Sequence, residues 1–501
     1  MNRTSSVKRR AYPSCRSISF YGAGLLVSVM LAGCAATPPQ VAPPIDNLPI
    51  SYQAAPKQSR PVADQWWRSF DDAQLDALVE KSSRSNPAVL QAVARMRVAQ
   101  SQAGISRAER FPQVTGGVNA SRQRQNLAAL GAFGALAPSE GEGGGAGVPT
   151  AFISDNYGLS VDISWELDLW GRLSAQSQAA QAEFFASRQN LRAVRLSMAA
   201  QAARMYFSVI EARAQLALAE RTEAAVREIS RQINNRADAG VAAPSDRLLA
   251  NANLASAQAG VIQRREALVR LTHQLEILQR DYPAGQLVTM AELPPVPPPP
   301  PAGLPAELLS RRPDLVAAEL NLRAAGLRLT AARRSLLPGI SLTGSVGTAS
   351  NDLGELLSGD SIVWSIAGRL LQPIFQAGRV RAQMDAIEGQ RDEAIQAYAD
   401  TALRAFAEVE TALSVDTFLA EREAAFEVAA RNAGGAVEIS FNRYREGIDP
   451  FLAVLESQQR ALDSHSAYLA ARRARLENRI DLHLALGGGF DDVPDAPLPQ
   501  D

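Results

Sequence analysis

The 501 residues carry 51 lysines and arginines against 52 acids, and 46% of them are hydrophobic. Five of the bases lie in an acid-free stretch over residues 1–33, so the remainder has 46 bases against 52 acids and is a poor match for nucleic acid. A mean hydropathy of −0.11 is too polar for a multi-span helical membrane protein, and past residue 33 no apolar run approaches the roughly 20 residues of a spanning helix.

Residues 1–33 read as an export leader. Lys8, Arg9, Arg10 and Arg16 precede an apolar stretch from Ile18 to Leu31. It closes with Leu31-Ala32-Gly33-Cys34, a box that resembles the cleavage site of bacterial lipoproteins, in which the cysteine becomes the acylated N-terminus. Cys15 leaves with the leader, so the mature chain has Cys34 alone and no disulfide. The spacing makes 34–71 an acylated, proline-rich tether with extended backbone.

A first structural repeat is expected over 72–282. Trp66-Trp67 and Phe70 lead into a short helix at about 72–84, and Asn86-Pro87 opens another that runs to Arg110 and is broken by Phe111-Pro112. Alternation then predicts strands at about 113–125 and 152–169, joined by a Gly-rich loop. In the second strand Tyr157, Leu159, Val161, Ile163 and Trp165 alternate with Gly158, Ser160, Asp162, Ser164 and Glu166. A soluble sheet would alternate too, but an apolar face opposite carboxylates suits a barrel strand between lipid and a wet lumen. Arg172–Asp238 contains neither proline nor glycine and carries an apolar stripe at three- and four-residue steps. It predicts one rod of roughly 100 Å. A turn through Asn235, Arg236 and Gly240 leads to a further helix from Asp246 to Asp281.

The proline-loaded stretch 283–310 separates this unit from a second copy over 311–486, with a tail at 487–501. Pro112 recurs as Pro338, a shift of 226; Gly171-Arg172 recurs as Gly378-Arg379, a shift of 207. The repeat predicts strands at about 339–349 and 361–372, a second rod from Val380 to Glu446, a turn at Asn442, Arg443 and Gly447, and a helix from Phe451 to Leu486. If the two shorter helices of each half stack end to end beside its rod, the chain supplies four columns and four strands. Four strands cannot close a membrane barrel, so copies must associate. Two copies give eight columns in a ring roughly 25 Å across and narrow inside, whereas three give twelve strands and a ring of twelve helical columns roughly 38 Å across with an open lumen. The fold class is therefore mainly α with a membrane β-barrel part.

Several motifs carry a family resemblance: Leu31-Ala32-Gly33-Cys34, Gly303-Leu304-Pro305 through Arg311-Arg312-Pro313-Asp314, Pro373-Ile374-Phe375 with Gly378-Arg379, Tyr444-Arg445-Glu446-Gly447, and Leu486-Gly487-Gly488-Gly489-Phe490. The chain resembles the outer-membrane factors of tripartite export systems, the TolC superfamily, and within it the OprM/NodT-type lipoproteins. That resemblance implies a homotrimer in the outer membrane with a long periplasmic extension. It also implies a passive duct that meets a periplasmic adaptor protein and an inner-membrane RND-type pump for drugs and other small molecules.

By the same resemblance Asn235, Arg236, Gly240, Asn442, Arg443 and Gly447 form tips that meet the adaptor. Asp246 and Glu456 lie at the periplasmic gate, although Ala453 stands where some members have a second acid. The residue types at the tips are also what helix caps require, and Asp246 suits a first helical turn. His273, His465 and His483 are scattered without partners at ligand spacing and read as packing residues, not metal ligands. No nucleophile–base set or phosphate loop is present, so no enzyme and no cofactor is expected beyond the N-acyl and S-diacylglycerol lipid on Cys34. Two other readings stay open from sequence: the duct of a type I protein secretion system, and a periplasmic coiled-coil scaffold lipoprotein.

Overall fold

In the computed structural model the described residues are Tyr52, 65–126, 151–287, 289–301 and 305–488, all within one compact unit. Cys34, the Gly-rich loop and the end of the tail lie outside them. In chain order the helices are α1 (Ala73–Ser85), α2 (Pro87–Ala108), α3 (Arg172–Asp238), α4 (Pro244–Leu278), α5 (Pro305–Arg311), α6 (Pro313–Arg334), α7 (Arg379–Arg445) and α8 (Phe451–Ala485). The strands are β1 (Gln113–Asn126), β2 (Ala151–Leu167), β3 (Gly339–Ser350) and β4 (Ile362–Leu371). No described helix is long and apolar enough to cross a membrane.

The two halves have matching dimensions. Helices α2 and α6 each have 22 residues, α3 and α7 each 67, and α4 and α8 each 35. Helix α7 runs through Gly389, Gly434 and Gly435 without a break. Helices α2 and α4 pack along α3, while α6 and α8 sit between α3 and α7. The columns thus follow the order α2/α4, α3, α6/α8, α7, and the antiparallel sheet follows the same order, β1-β2-β3-β4.

End-to-end stacking of the shorter helices is explicit in the hydrogen bonds. Asn86 caps α2 through its Oδ1, and its Nδ2 donates 2.9 Å to the Leu278 carbonyl at the end of α4. At the related joint Arg312, which precedes α6, donates 3.3 Å to the Ala485 carbonyl at the end of α8. The buried Arg312 guanidinium also forks onto Asp314 at 2.7 and 3.0 Å and reaches Glu408 at 2.6 Å. Burial alone would raise the Asp314 pKa, but the hydrogen bonds and charge of Arg312 outweigh it and hold that carboxyl below its usual range.

The core lies beside these joints. Alanines 199, 200, 202 and 203 of α3 are fully buried, which lets neighbouring helices approach closely. A 3₁₀ turn, Trp66–Phe70, packs against this region with Tyr206, Phe207, Leu476 and Ile480. Each buried leucine or phenylalanine there contributes roughly 2 kcal/mol by leaving water. Trp66 stacks on His483 at 5.6 Å, and the Tyr206 hydroxyl donates 2.6 Å to Asp72, whose other oxygen caps α1. The aromatic turn therefore belongs to the packed body, although the sequence grouped it with the tether. Helix α5 similarly falls largely inside the stretch read as linker: Pro305 at its first position is compatible with a helix start. Helix α4 begins two residues before Asp246, with Pro244 at its first turn. Tyr52 is buried against the second half with Leu308, Leu315 and Val409.

Candidate functional site

The strand register sorts the sheet into two chemically distinct faces. One face carries the rows Val118–Leu159–Thr348–Ile362, Gly116–Val161–Val346–Trp364 and Val114–Ile163–Gly344–Ile366. Tyr157 and Trp165 flank these rows on the same side of β2, as the alternation predicts. Val118, Trp364 and Ile366 are 82%, 73% and 79% exposed. The opposite face carries Thr115–Asp162–Ser345–Ser365, with Ser160 donating 2.8 Å to Asp162. So large a bare apolar sheet face is a liability in water and is what lipid requires.

Both outer strands, β1 and β4, lack a neighbour on one side among the described residues. The outer helical columns repeat this condition. Val98 and Ile105 on α2, Leu248 and Ile262 on α4, and Phe418 and Ile439 on α7 are all more than half exposed. Helix and sheet edges thus ask for partners on the same two sides.

At the far end of the columns, two turns share one construction. Gly240 and Gly447 adopt φ of 74° and 75°, the left-handed geometry that favours glycine. In the first turn Val241 N donates 2.9 Å to Arg236 O and Ala239 N donates 3.1 Å to Asn235 O. In the second, Ile448 N donates 2.9 Å to Arg443 O and Glu446 N donates 3.1 Å to Asn442 O. These bonds satisfy the carbonyls that a helix end leaves open.

The turns are also tied to one another. The Tyr444 hydroxyl, at the end of α7, donates 3.2 Å to Asp246 in the first turn of α4. Arg236 lies over the Tyr444 ring at 5.7 Å, and Phe451 meets that ring at 5.4 Å. Burial and the Asp246 charge push the Tyr444 hydroxyl pKa up. Arg443 holds Asp449 with bonds of 2.6 and 3.0 Å, and these keep that carboxyl below its usual range. Arg247 pairs with Asp238. Tyr444, like Phe451, Asp449, Arg247 and Asp238, is a member of this cluster that the sequence did not single out as a tip residue; for Tyr444 its place in Tyr444-Arg445-Glu446-Gly447 was the available signal.

Glu456 lies in the second turn of α8 and is exposed, on a helix whose Phe451 and Val454 are buried between the two turns. The structure does not bring it into the Tyr444–Asp246 tie. Val241, Leu248, Ile448 and Leu452 leave apolar surface open at this end. The histidines do not converge: His465 bonds its own helix at Ala461 O, His273 lies beside Gly285, and His483 is buried under Trp66. Among the described residues no group of three or more His, Cys, Asp or Glu side chains could hold a metal ion.

A sheet with one apolar face and one polar face, continued by helical columns in the same lateral order, has the form expected of a wall segment of a membrane-spanning duct. The sequence comparisons place it. The model of the outer membrane efflux protein family matches residues 78–278 and 304–488, and the chain belongs to that family. The chain is 31% identical to outer membrane protein OprJ of Pseudomonas aeruginosa, over 95% of this chain and 97% of that protein. It is 30% identical to the toluene efflux pump outer membrane protein TtgF of Pseudomonas putida, over 95% and 98%. The solved structure of the outer-membrane channel OprN superposes with a TM-score of 0.79 at 28% identity, covering 90% of this chain and 99% of that one. The chain is an outer-membrane efflux channel subunit, its strands in the membrane and its helices extending into the periplasm.

Proposed function

We propose that three copies of this chain form the exit duct of a tripartite pump, receiving small molecules from an inner-membrane RND-type transporter through a periplasmic adaptor. The observation that carries the proposal is the coincidence of open edges. Strand and helix layers end on the same two sides, with unpaired backbone in one and exposed apolar residues in the other. Three copies joined edge to edge supply twelve strands and twelve columns, and no edge remains. The helices continue the lumen for about 100 Å, set by the 67 residues of α3 and α7.

The apolar residues around Gly240 and Gly447 fit an adaptor surface, and the Tyr444–Asp246 tie holds the two turns of one copy together at the periplasmic mouth. Glu456, exposed near that mouth, supplies a carboxylate to the water-filled lumen. Cys34 carries the lipid and adds a second hold on the membrane. The toluene named for one relative makes apolar small molecules the first cargo class to test.

Purified protein should run as a heat-dissociable trimer and conduct ions across a planar bilayer. Deletion in the native host should raise sensitivity to apolar drugs and solvents severalfold. A lone, non-conducting subunit would overturn the proposal.

A further inference from the structure

Resting on the ring just proposed, we infer that the joint between copies repeats the joint between the halves of one copy in strand register, but replaces its hydrogen-bonded latch with an apolar seam. The duplication fixes the register. Moving β1 by 226 and β2 by 207 converts the pair Gln113↔Ser164 into Gly339↔Leu371, which is the observed β3–β4 pair. The two hairpins therefore share one register.

Hydrogen bonds at the membrane boundary follow the same shifts. Trp165 Nε1 donates 3.0 Å to Arg110 O, and the corresponding Gln372 Nε2 donates 2.9 Å to Leu336 O. Applying the shifts to the β2–β3 joint gives the missing joint, β4 of one copy against β1 of the next. Val161↔Val346 becomes Gly368↔Ala120, and Asp162↔Ser345 becomes Arg369↔Asn119. The β4 strand is then covered throughout by residues 117–126, and the apolar and polar faces stay continuous across the junction.

The chemistry at the strand–helix corner differs. Within one chain, Trp170 Nε1 donates 2.7 Å to Pro338 O and Arg334 donates 2.8 Å to Gly171 O, clamping the two halves. Asp168 caps α3 through Leu173 N and Ser174 N at 2.9 and 2.7 Å. At the corresponding positions between copies stand Ala377 for Trp170, Ala108 for Arg334 and Phe375 for Asp168. The side chains at these positions can make neither clamp bond.

What stands there instead is apolar and bare. Ile374, Phe375 and Phe111 are 94%, 86% and 55% exposed. The shifts set Ile374 opposite Val114 of the next copy and Ala377 opposite its Pro112, with Phe375 on the stretch carried against Phe111–Val114. The occupant of this surface is a second copy of the chain.

Cysteine pairs in the full-length, membrane-assembled protein test the register. Arg369→Cys with Asn119→Cys should form inter-subunit disulfides at least tenfold faster than Arg369→Cys with Gly117→Cys or Ser121→Cys. Each single cysteine alone subtracts any linkage through Cys34. A faster reaction in either offset pair overturns the register while leaving the ring intact; no inter-subunit linkage in any pair overturns the ring itself.

The seam is tested by Phe375→Asp, which restores the capping residue of the first half and so spares the protomer. The fraction of trimer surviving at a temperature where half of the wild type persists should fall at least fivefold, with helix content of the dissociated protein unchanged. Trimers as heat-resistant as wild type would overturn the seam and leave Ile374 and Phe375 to the membrane interface.

Discussion

The long helices of the two halves match in length pair by pair, yet the halves solve their shared problems with different residues. Each must join a 35-residue helix to a 22-residue helix end to end. The first half uses a neutral Asn86, whose amide caps one helix and reaches the other. The second uses Arg312, a buried cation that needs Asp314 and Glu408 to be tolerated at all. The spacing of the helices is thus fixed by backbone geometry, while the residues at the joint are exchangeable only as complete sets. A cation brings carboxylates with it; an amide does not.

That contrast predicts the largest difference. Arg312→Ala should destabilise the protein by about 3 kcal/mol, because it strands the partly shielded Asp314 and the Ala485 carbonyl. Asn86→Ala should cost about 1 kcal/mol, the worth of a lost cap. Equal costs in thermal melts of detergent-solubilised protein would show that the two joints are energetically alike.

A second asymmetry lies at His483, which sits under Trp66 with the Arg479–Asp416 pair one turn away. Burial, with a smaller contribution from the Arg479 charge, lowers its pKa to about 4. The unfolded chain takes up this proton near pH 6.5, so protonation favours unfolding between the two values. Stability from this group is complete above about pH 6.5 and falls by about 3 kcal/mol as pH drops towards 4. His483→Gln should flatten that part of the pH–stability curve; an unchanged slope would assign it to other groups.

Where the halves agree, the expected effects agree as well. Gly240→Ala and Gly447→Ala should each cost about 1 kcal/mol, since both backbones are left-handed and neither site is crowded. Unequal costs would show that one turn bears extra load. The smallest effect is expected from Tyr444→Phe, which removes one hydrogen bond to Asp246 worth about 1 kcal/mol or less. Its clearest readout is conductance, which should rise as the two turns come apart.

How much of this was legible in the sequence depends on the range of the interaction. The two rods follow from long proline-free stretches, the first of them free of glycine as well, the strands from two-residue alternation, and the turns from Gly240 and Gly447. All are local patterns. Helix α5 was hidden because a proline-rich composition outweighed seven helix-compatible residues. The burial of Trp66 and Trp67 was hidden because composition alone grouped them with the preceding tether. The Tyr444–Asp246 tie spans 198 residues and depends on how two helix ends happen to cross. The same holds for Arg312 and Glu408, 96 residues apart. No periodicity encodes such meetings; the duplication exposed only those that occur twice.

The unpaired margins of β1 and β4 also impose a condition on biogenesis. A solitary subunit in transit carries two strips of unsatisfied amides and carbonyls beside a greasy surface, which makes it a template for indiscriminate strand addition. Its safe delivery requires escort by a holdase or rapid meeting with its siblings. Synthesis that outruns either one should therefore yield inclusion bodies in place of ducts.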